Sequence, residues 1–342
     1  FLSKVTEKES IMWHRQMGHI HLRKMNHLVQ NQLVEGVSVK NFHLNDVCVS
    51  CKKGKQKRKS HKPKKTNSVS LPLERLHMDL FGPVNRKSKN GDLYCLVVTD
   101  DYSRFSWVVC MKHKSETFDY LKNLFTKLEN IYQLKIRRIR SDNGTEFKNH
   151  AMEALCAEKG IHHEFTAPYT PQQNGVAERK NRTLIEAART MLADSNLPVI
   201  FWNEAVHCAC YTLNRVLTVK KLGKTSYELL NRRKPNLEFL EPFGAPCTMI
   251  HPDGKFGAKA EEGFFVGYST PNKRVYNKRT NNIEDWLNVD VQRYTANAPG
   301  VGPDWLFDYK SLFDSFNVEN LVDDAVAQMY YECENTASSP LM

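Results

Sequence analysis

Three short apolar runs follow one another between Leu76 and Lys112: LHMDLF, YCLVVTD and RFSWVVCMK. Turn residues separate them at Asn90-Gly91 and Asp101-Tyr102-Ser103, so the three read as an antiparallel meander of strands. The period then changes. SETFDYLKNLFTKLENIY has a helical pattern with Ser115 placed as its N-cap, KIRRIR reads as a strand, NHAMEALCAEKG as a helix ending at Gly160, and IHHEFTAP as a further strand. A meander followed by strand–helix–strand units predicts an α/β fold with a mixed sheet and helices packed on it. A long helix is expected from about Asn174 to Leu192, with Ala177, Leu184, Ala188 and Met191 on its buried side, and Pro198 opens the next one. From Gly263, GFFVGY, KRVYNKRT and NIEDWLNVDV predict three short strands.

Three acids stand out against that frame. Asp79 lies inside the first apolar strand, where an unpaired carboxylate costs several kcal/mol and needs a counter-charge. Asp142 ends KIRRIRSD, just before the turn at Asn143-Gly144, and Glu178 opens the long helix after the Pro-, Gln- and Asn-rich loop PYTPQQNG. Thirty-five residues lie between Asp142 and Glu178. Carboxylates from a strand, a strand end and a helix can hold two divalent cations, and oxygen-only ligands suit magnesium or manganese. Two such cations activate an attacking oxygen and stabilise a leaving one in phosphoryl transfer. The alternative is three ordinary surface or capping acids. After Glu178 come Arg179, Lys180, Asn181 and Arg182; Arg179, Lys180 and Arg182 are candidate phosphate contacts, and Asn181 and Arg182 fall on the glutamate's own helix face, with an ordinary Glu–Arg surface pair as the alternative.

The formal net charge is +11, and its excess is concentrated in KKGKQKRKSHKPKK, Lys52 to Lys65, which contains no acid. Lys52, Lys53, Lys55, Lys57, Arg58 and Lys59 are its candidate phosphate contacts, and the block favours nucleic acid over membrane as partner; a solvated linker is the alternative. The far end is acidic. With 41% hydrophobic residues a real core is expected, and no run approaches the ~18 apolar residues of a membrane span. Nine irregularly spaced cysteines give no disulfide framework, which points to a reducing intracellular compartment. The chain opens on Phe1 and is expected to be a piece of something longer.

Ahead of the basic block, WHRQMGH offers His14 and His19, and CVSC offers Cys48 and Cys51. Two imidazoles and two thiolates make a closed tetrahedral set for structural zinc, the His pair about one helical turn apart. Buried, metal-free His and Cys residues are the alternative, and His21 and His27 weaken the spacing taken alone. A segment of this size has little core, so a metal would supply much of its folding energy.

The motifs LHMDLFGP, YCLVVTDDYSRFSWV, IRSDNGTEFKN, PYTPQQNGVAERKNRTLIEAARTML and FWNEAV together resemble the integrase of copia-type LTR retrotransposons, especially plant ones, from Trp13 to about Phe307. The resemblance implies an RNase H-like five-stranded sheet and DNA 3′-end processing and strand transfer. It implies Asp79, Asp142 and Glu178 as the catalytic metal ligands, and a His14–His19–Cys48–Cys51 zinc head. It further implies double-stranded DNA (element ends and host target) as partner, assembly as a homo-multimer on DNA, a cytoplasmic particle before import and action in the nucleus, and a parent polyprotein with protease and reverse transcriptase. The domains then run 1–51 (zinc head), 52–71 (basic linker), 72–235 (catalytic core), 236–295 (small β-rich domain) and 296–342 (acidic tail). A nuclease that only hydrolyses and a silent DNA-binding remnant are the rival functions.

Other signals carry less. Gly223-Lys224-Thr225 lacks the leading glycine of a phosphate loop, since Thr218 holds that position. Asp100 and Asp101 are expected to shape a turn, Glu146 is a candidate group behind Asp142, one of His162 and His163 is expected to face inward, and Trp202 to Tyr211 reads as core helix.

Overall fold

The computed structural model describes residues 7–37, 41–43, 48–54, 69–166, 175–250, 260–269 and 272–292. Its helices are α1 (Glu7–Gln16), α2 (Leu22–Gln30), α3 (Val49–Gly54), α4 (Thr117–Tyr132), α5 (His150–Lys159), α6 (Gly175–Ser195), α7 (Trp202–Val216) and α8 (Ser226–Asn231). Strands β1 (Arg75–Phe81), β2 (Tyr94–Asp100), β3 (Ser106–Met111), β4 (Arg138–Ser141) and β5 (His162–Phe165) form one five-stranded sheet in the order β3-β2-β1-β4-β5. β1, β2 and β3 are the expected antiparallel meander, while β4 and β5 run parallel to β1. This is the RNase H-like mixed sheet.

Strand alternation decides what each face meets. Leu76 and Met78 of β1, with Leu96, Val98 and Ile139, pack under Leu121, Phe125 and Leu128 of α4 and Met152 and Leu155 of α5. α5 begins where the Asn149 side chain accepts from Met152 N at 2.9 Å and ends at Gly160 in the left-handed region (φ 67°). Ser115 does not cap α4: it lies inside a 3₁₀ turn, Lys114–Glu116, and Thr117 is the first α-helical residue. The other face, with Cys95 and Val97, meets α6 and α7, and all four residues expected on the buried side of α6 are buried there.

That second core is shared. Trp13, Met17, Ile20, Met25, Leu28 and Phe42 of the amino-terminal segment pack in one cluster with Leu184, Ala188 and Met191 of α6, and with Leu237, Leu240 and Phe243. The segment therefore has the apolar contacts that its own length could not supply.

Beyond α7, β6 (Thr218–Val219) and β7 (Lys224–Thr225) make a two-stranded hairpin. A second five-stranded sheet follows, built from β8 (Pro246–Ile250), β9 (Ala260–Ser269), β10 (Asn272–Asn277), β11 (Asn282–Trp286) and β12 (Val289–Val291) in the order β11-β10-β9-β8-β12. Three strands were expected. β8 was missed, and NIEDWLNVDV divides at Leu287-Asn288, so that β12 can return to pair with β8. Among the described residues no helix is long and apolar enough to cross a membrane.

Candidate active site and metal centre

β1 and β4 pair in parallel with Arg75 opposite Arg138, Leu76 opposite Ile139 and His77 opposite Arg140. Carried two residues further, that register sets Asp142, the first residue after β4, level with Asp79 and on the same side of the sheet. Neighbouring strands lie about 4.8 Å apart. Sheet pairing alone therefore brings together two acids that are remote in the chain.

α6 supplies the third, because it packs on β1 and β2. Asn181 anchors it: its Nδ2 donates to Asp79 Oδ2 at 2.8 Å, with only 6% of the residue exposed. Glu178 lies three residues earlier, one turn along that face. Asp79 Oδ1 accepts from Leu80 N (3.1 Å), and Asp142 Oδ1 accepts from Gly144 N (3.1 Å). Burial pushes the Asp79 carboxyl up and the charge of Asp142 adds to it. A smaller push from Glu178 follows, against the hydrogen bonds of Leu80 and Asn181, and the result is about 6. All three acids thus share one electrostatic neighbourhood. Their oxygens do not close into a single cluster as tightly as the His/Cys group described below.

The Asp142 turn is braced from β5. Ser141 Oγ donates to the Asp142 carbonyl (2.8 Å) and lies 2.9 Å from His163 Nε2, while Asn143 Nδ2 donates to Thr166 O at 2.7 Å. Burial, then the neighbouring His162, lowers the His163 pKa to about 4, so the ring is neutral and Nε2–H can donate to Ser141. As expected, His162 faces outward and His163 inward. Glu146 lies 3.5 Å from Lys114 Nζ, which gives this acid a cationic partner of its own. Asp100 shapes its turn by accepting from Leu73 N, Ser103 N and Ser103 Oγ. Asp101 instead joins Arg75, His77 and Arg104, a polar cluster that no local pattern announced.

Arg179 and Arg182 are exposed on α6, but Lys180 turns inward: its Nζ donates to the Arg104 carbonyl at 3.3 Å, and burial lowers its pKa. Lys52 is exposed and Lys53 half-buried at the end of α3. Lys55, Lys57, Arg58 and Lys59 lie outside the described residues, as does most of PYTPQQNG. An exposed basic rim was missed at the end of the sheet where β1 finishes: Arg86, Lys87 and Lys89 in the β1–β2 connection, and Lys112 and Lys114 after β3. The acid-free run VNRKSKNG was the available signal.

His14, His19, Cys48 and Cys51 each offer a ligand atom, all within 4.8 Å of one another. His14 is on α1, but His19 is not: the helix ends at Gln16, and Gly18 and His19 both take positive φ (66° and 56°), which swings the second imidazole back toward the first. The expected one-turn spacing on a helix is thereby corrected. Cys48 precedes α3 and Cys51 lies within it. His14 Nε2 is 3.2 Å from Cys51 Sγ with its Nδ1 3.1 Å from Ile20 O, and His19 Nδ1 is 3.5 Å from Cys48 Sγ. Each ring therefore keeps one nitrogen for a metal and the other for an outer partner, as ligating histidines do. Cys51, then His14 and His19, hold the Cys48 thiol far below its usual range despite burial. A soft S₂N₂ donor set of this kind fits zinc.

Residues 70–171 match the integrase core domain family, a stretch holding Asp79 and Asp142 but not Glu178, and residues 1–56 match the GAG-pre-integrase domain family. The retrovirus-related Pol polyprotein from transposon TNT 1-94 of Nicotiana tabacum is 34% identical over 263 residues, covering 75% of this chain. That from transposon RE2 of Arabidopsis thaliana is 30% identical over 275 residues, covering 79%. The chain belongs to the integrase region of copia-type retrotransposon Pol polyproteins. This integrase region spans about a fifth of its curated relatives, 19% and 18% of their lengths. Among solved structures, the HTLV-2 integrase catalytic core domain in complex with magnesium is 24% identical, covering 47% of this chain and 97% of that one (TM-score 0.37). The chain matched in the simian T-cell lymphotropic virus intasome is 18% identical, with 69% and 84% covered (TM-score 0.37).

In the integrase region, removing the Asn181 amide should leave one Asp79 oxygen without its donor and Glu178 without its anchor. If the chain joins DNA strands, Asn181→Ala is expected to lower that activity about 10- to 100-fold with duplex binding unchanged, read by a gel assay beside fluorescence anisotropy. Equal losses in both would point to a general collapse of α6.

Proposed function

We propose that the chain processes DNA 3′ ends and transfers them to a second duplex, with Asp79, Asp142 and Glu178 holding magnesium or manganese. The observation that carries this reading is the β1/β4 register that levels Asp79 with Asp142, under a helix whose Asn181 grips Asp79. Cations bound there would activate the attacking oxygen and stabilise the leaving one. The chain's own work is to position: Asn181 and Leu80 fix the Asp79 oxygens, Gly144 fixes one of Asp142, and the β5 brace holds the turn that carries it.

Arg179 and Arg182, the rim of Arg86, Lys87, Lys89, Lys112 and Lys114, and the segment from Lys52 onward would meet DNA phosphates. Lys180 is left out, since it faces the Arg104 carbonyl. Contacts of this type favour neither strand sequence and weaken steeply with salt. His14, His19, Cys48 and Cys51 would hold zinc. Assembly as a multimer on DNA ends, in the nucleus, and excision from a longer polyprotein complete the proposal.

The test is incubation of the chain with magnesium and labelled duplex ends. Joined strands longer than the substrate are expected. Shortened products without joining would identify a hydrolase, and binding without either product a silent remnant.

A further inference from the structure

The C-terminal turn of α6 contains no basic residue and carries an acid, Asp194, just before its last residue, Ser195. A carboxylate there opposes the helix dipole, an unfavourable placement that calls for partners. Asp194 has three. Its Oδ2 accepts from Arg15 Nε at 2.5 Å and lies 3.7 Å from His19 Nε2, and its Oδ1 accepts from Ser50 Oγ at 3.2 Å. Arg15 adjoins His14, and Ser50 sits between Cys48 and Cys51. One carboxylate of the catalytic helix therefore touches every segment that carries a metal-ligand atom.

We infer that Asp194 is the outer carboxylate of the His14–His19–Cys48–Cys51 site, so that the metal centre is completed by the catalytic core and not by the head alone. The inference rests on the zinc reading of that group. With His19 Nδ1 turned to Cys48, Nε2 is the nitrogen left for Asp194. A carboxylate in this position fixes the tautomer and strengthens the imidazole as a donor. α3 is also seated directly on α6: a β-carbon at Gly54 would collide with Oγ1 of Thr190, one turn before Asp194. The other end of α6 carries Glu178, roughly 24 Å away at 1.5 Å per residue. Metal binding and the placement of the catalytic helix are therefore one structural event.

The full chain is loaded with zinc or cobalt and titrated with a competing chelator. Asp194→Asn should bind either metal about 10- to 100-fold more weakly while keeping the tetrahedral cobalt spectrum at saturation. Arg15→Gln, which removes a docking ion pair but leaves Asp194 facing His19, should stay within about threefold of wild type. Unchanged affinity in Asp194→Asn, or an equal loss in Arg15→Gln, overturns the inference. A second readout needs no variant: nitrogen-15 spectra of the zinc-loaded wild type should show His19 protonated at Nε2 and His14 at Nδ1. A His19 ligated through Nε2 also overturns it. If the wild type takes up no metal at all, the zinc reading itself falls, and this inference with it.

Discussion

Asp79→Asn is expected to abolish strand joining and, at the same time, to stabilise the metal-free protein at neutral pH. The catalytic loss should be at least about a thousandfold, ~4 kcal/mol of barrier, because the neutral amide is a poor ligand for a hard cation. The gain in stability comes from the same feature. Asp79 has its pKa raised to about 6, first by burial and then by Asp142. A carboxyl raised in the fold contributes most below its unfolded value near 3.8 and loses that contribution as pH climbs through about 6. At pH 7 the wild type thus carries an ionised group the fold disfavours. At about 1.36 kcal/mol per unit, discounted for partial exposure, removing the charge should gain roughly 1–2 kcal/mol. Urea unfolding in the presence of chelator is the measurement. The variant should lead at pH 7 and draw level near pH 4, with duplex binding retained. An Asp79→Asn protein that is no more stable at pH 7 than wild type would remove the electrostatic argument for a shared acidic site. One that still joins DNA would remove Asp79 from catalysis.

Such strain is what a site organised for a charged ligand is expected to carry, and part of the arrangement was legible in the sequence. The meander could be read because LHMDLF, YCLVVTD and RFSWVVCMK each declare a strand locally. The acids could be read because each sits at an odd place in its own element. Register could not: that Asp79 and Asp142 stand level follows from which residues of β1 and β4 pair, a tertiary choice that neither strand encodes alone. Partner selection over long separations was equally hidden. Asn181 was seen to share the face of Glu178, but not that it would grip Asp79, 102 residues away. Lys180 looked like its basic neighbours, yet its stem packs inward. β8 escaped notice because it starts at Pro246, which demotes a run as a strand, and because its partner β12 is only three residues long. The left-handed turn at Gly18 and His19 is the subtlest miss. A histidine with positive φ leaves no mark on helical periodicity, yet it aims a ligand.

The shared core also changes what metal loss should do. Taken as an independent head, the amino-terminal segment would melt alone when Cys48 is replaced. Trp13, Met17, Met25 and Leu28 instead pack in one cluster with Leu184 and Met191 of α6. Cys48→Ser is therefore expected to lower the main unfolding transition of the whole chain. Structural zinc is worth about 10–16 kcal/mol where a fold depends on it entirely. Here apolar contacts support the same segment, so a loss of roughly 3 kcal/mol is expected, about 6–12 °C in a domain of this size. Chelation of wild type should reproduce the shift, and zinc should reverse it there but not in the variant. Tryptophan emission should move to the red in step with circular dichroism, because Trp13 belongs to the same cooperative unit as α6. Joining activity should fall as well, since α6 carries Glu178. Two separate transitions, with the larger one unmoved by the mutation, would restore the independent head and break the link between the metal centre and the catalytic helix.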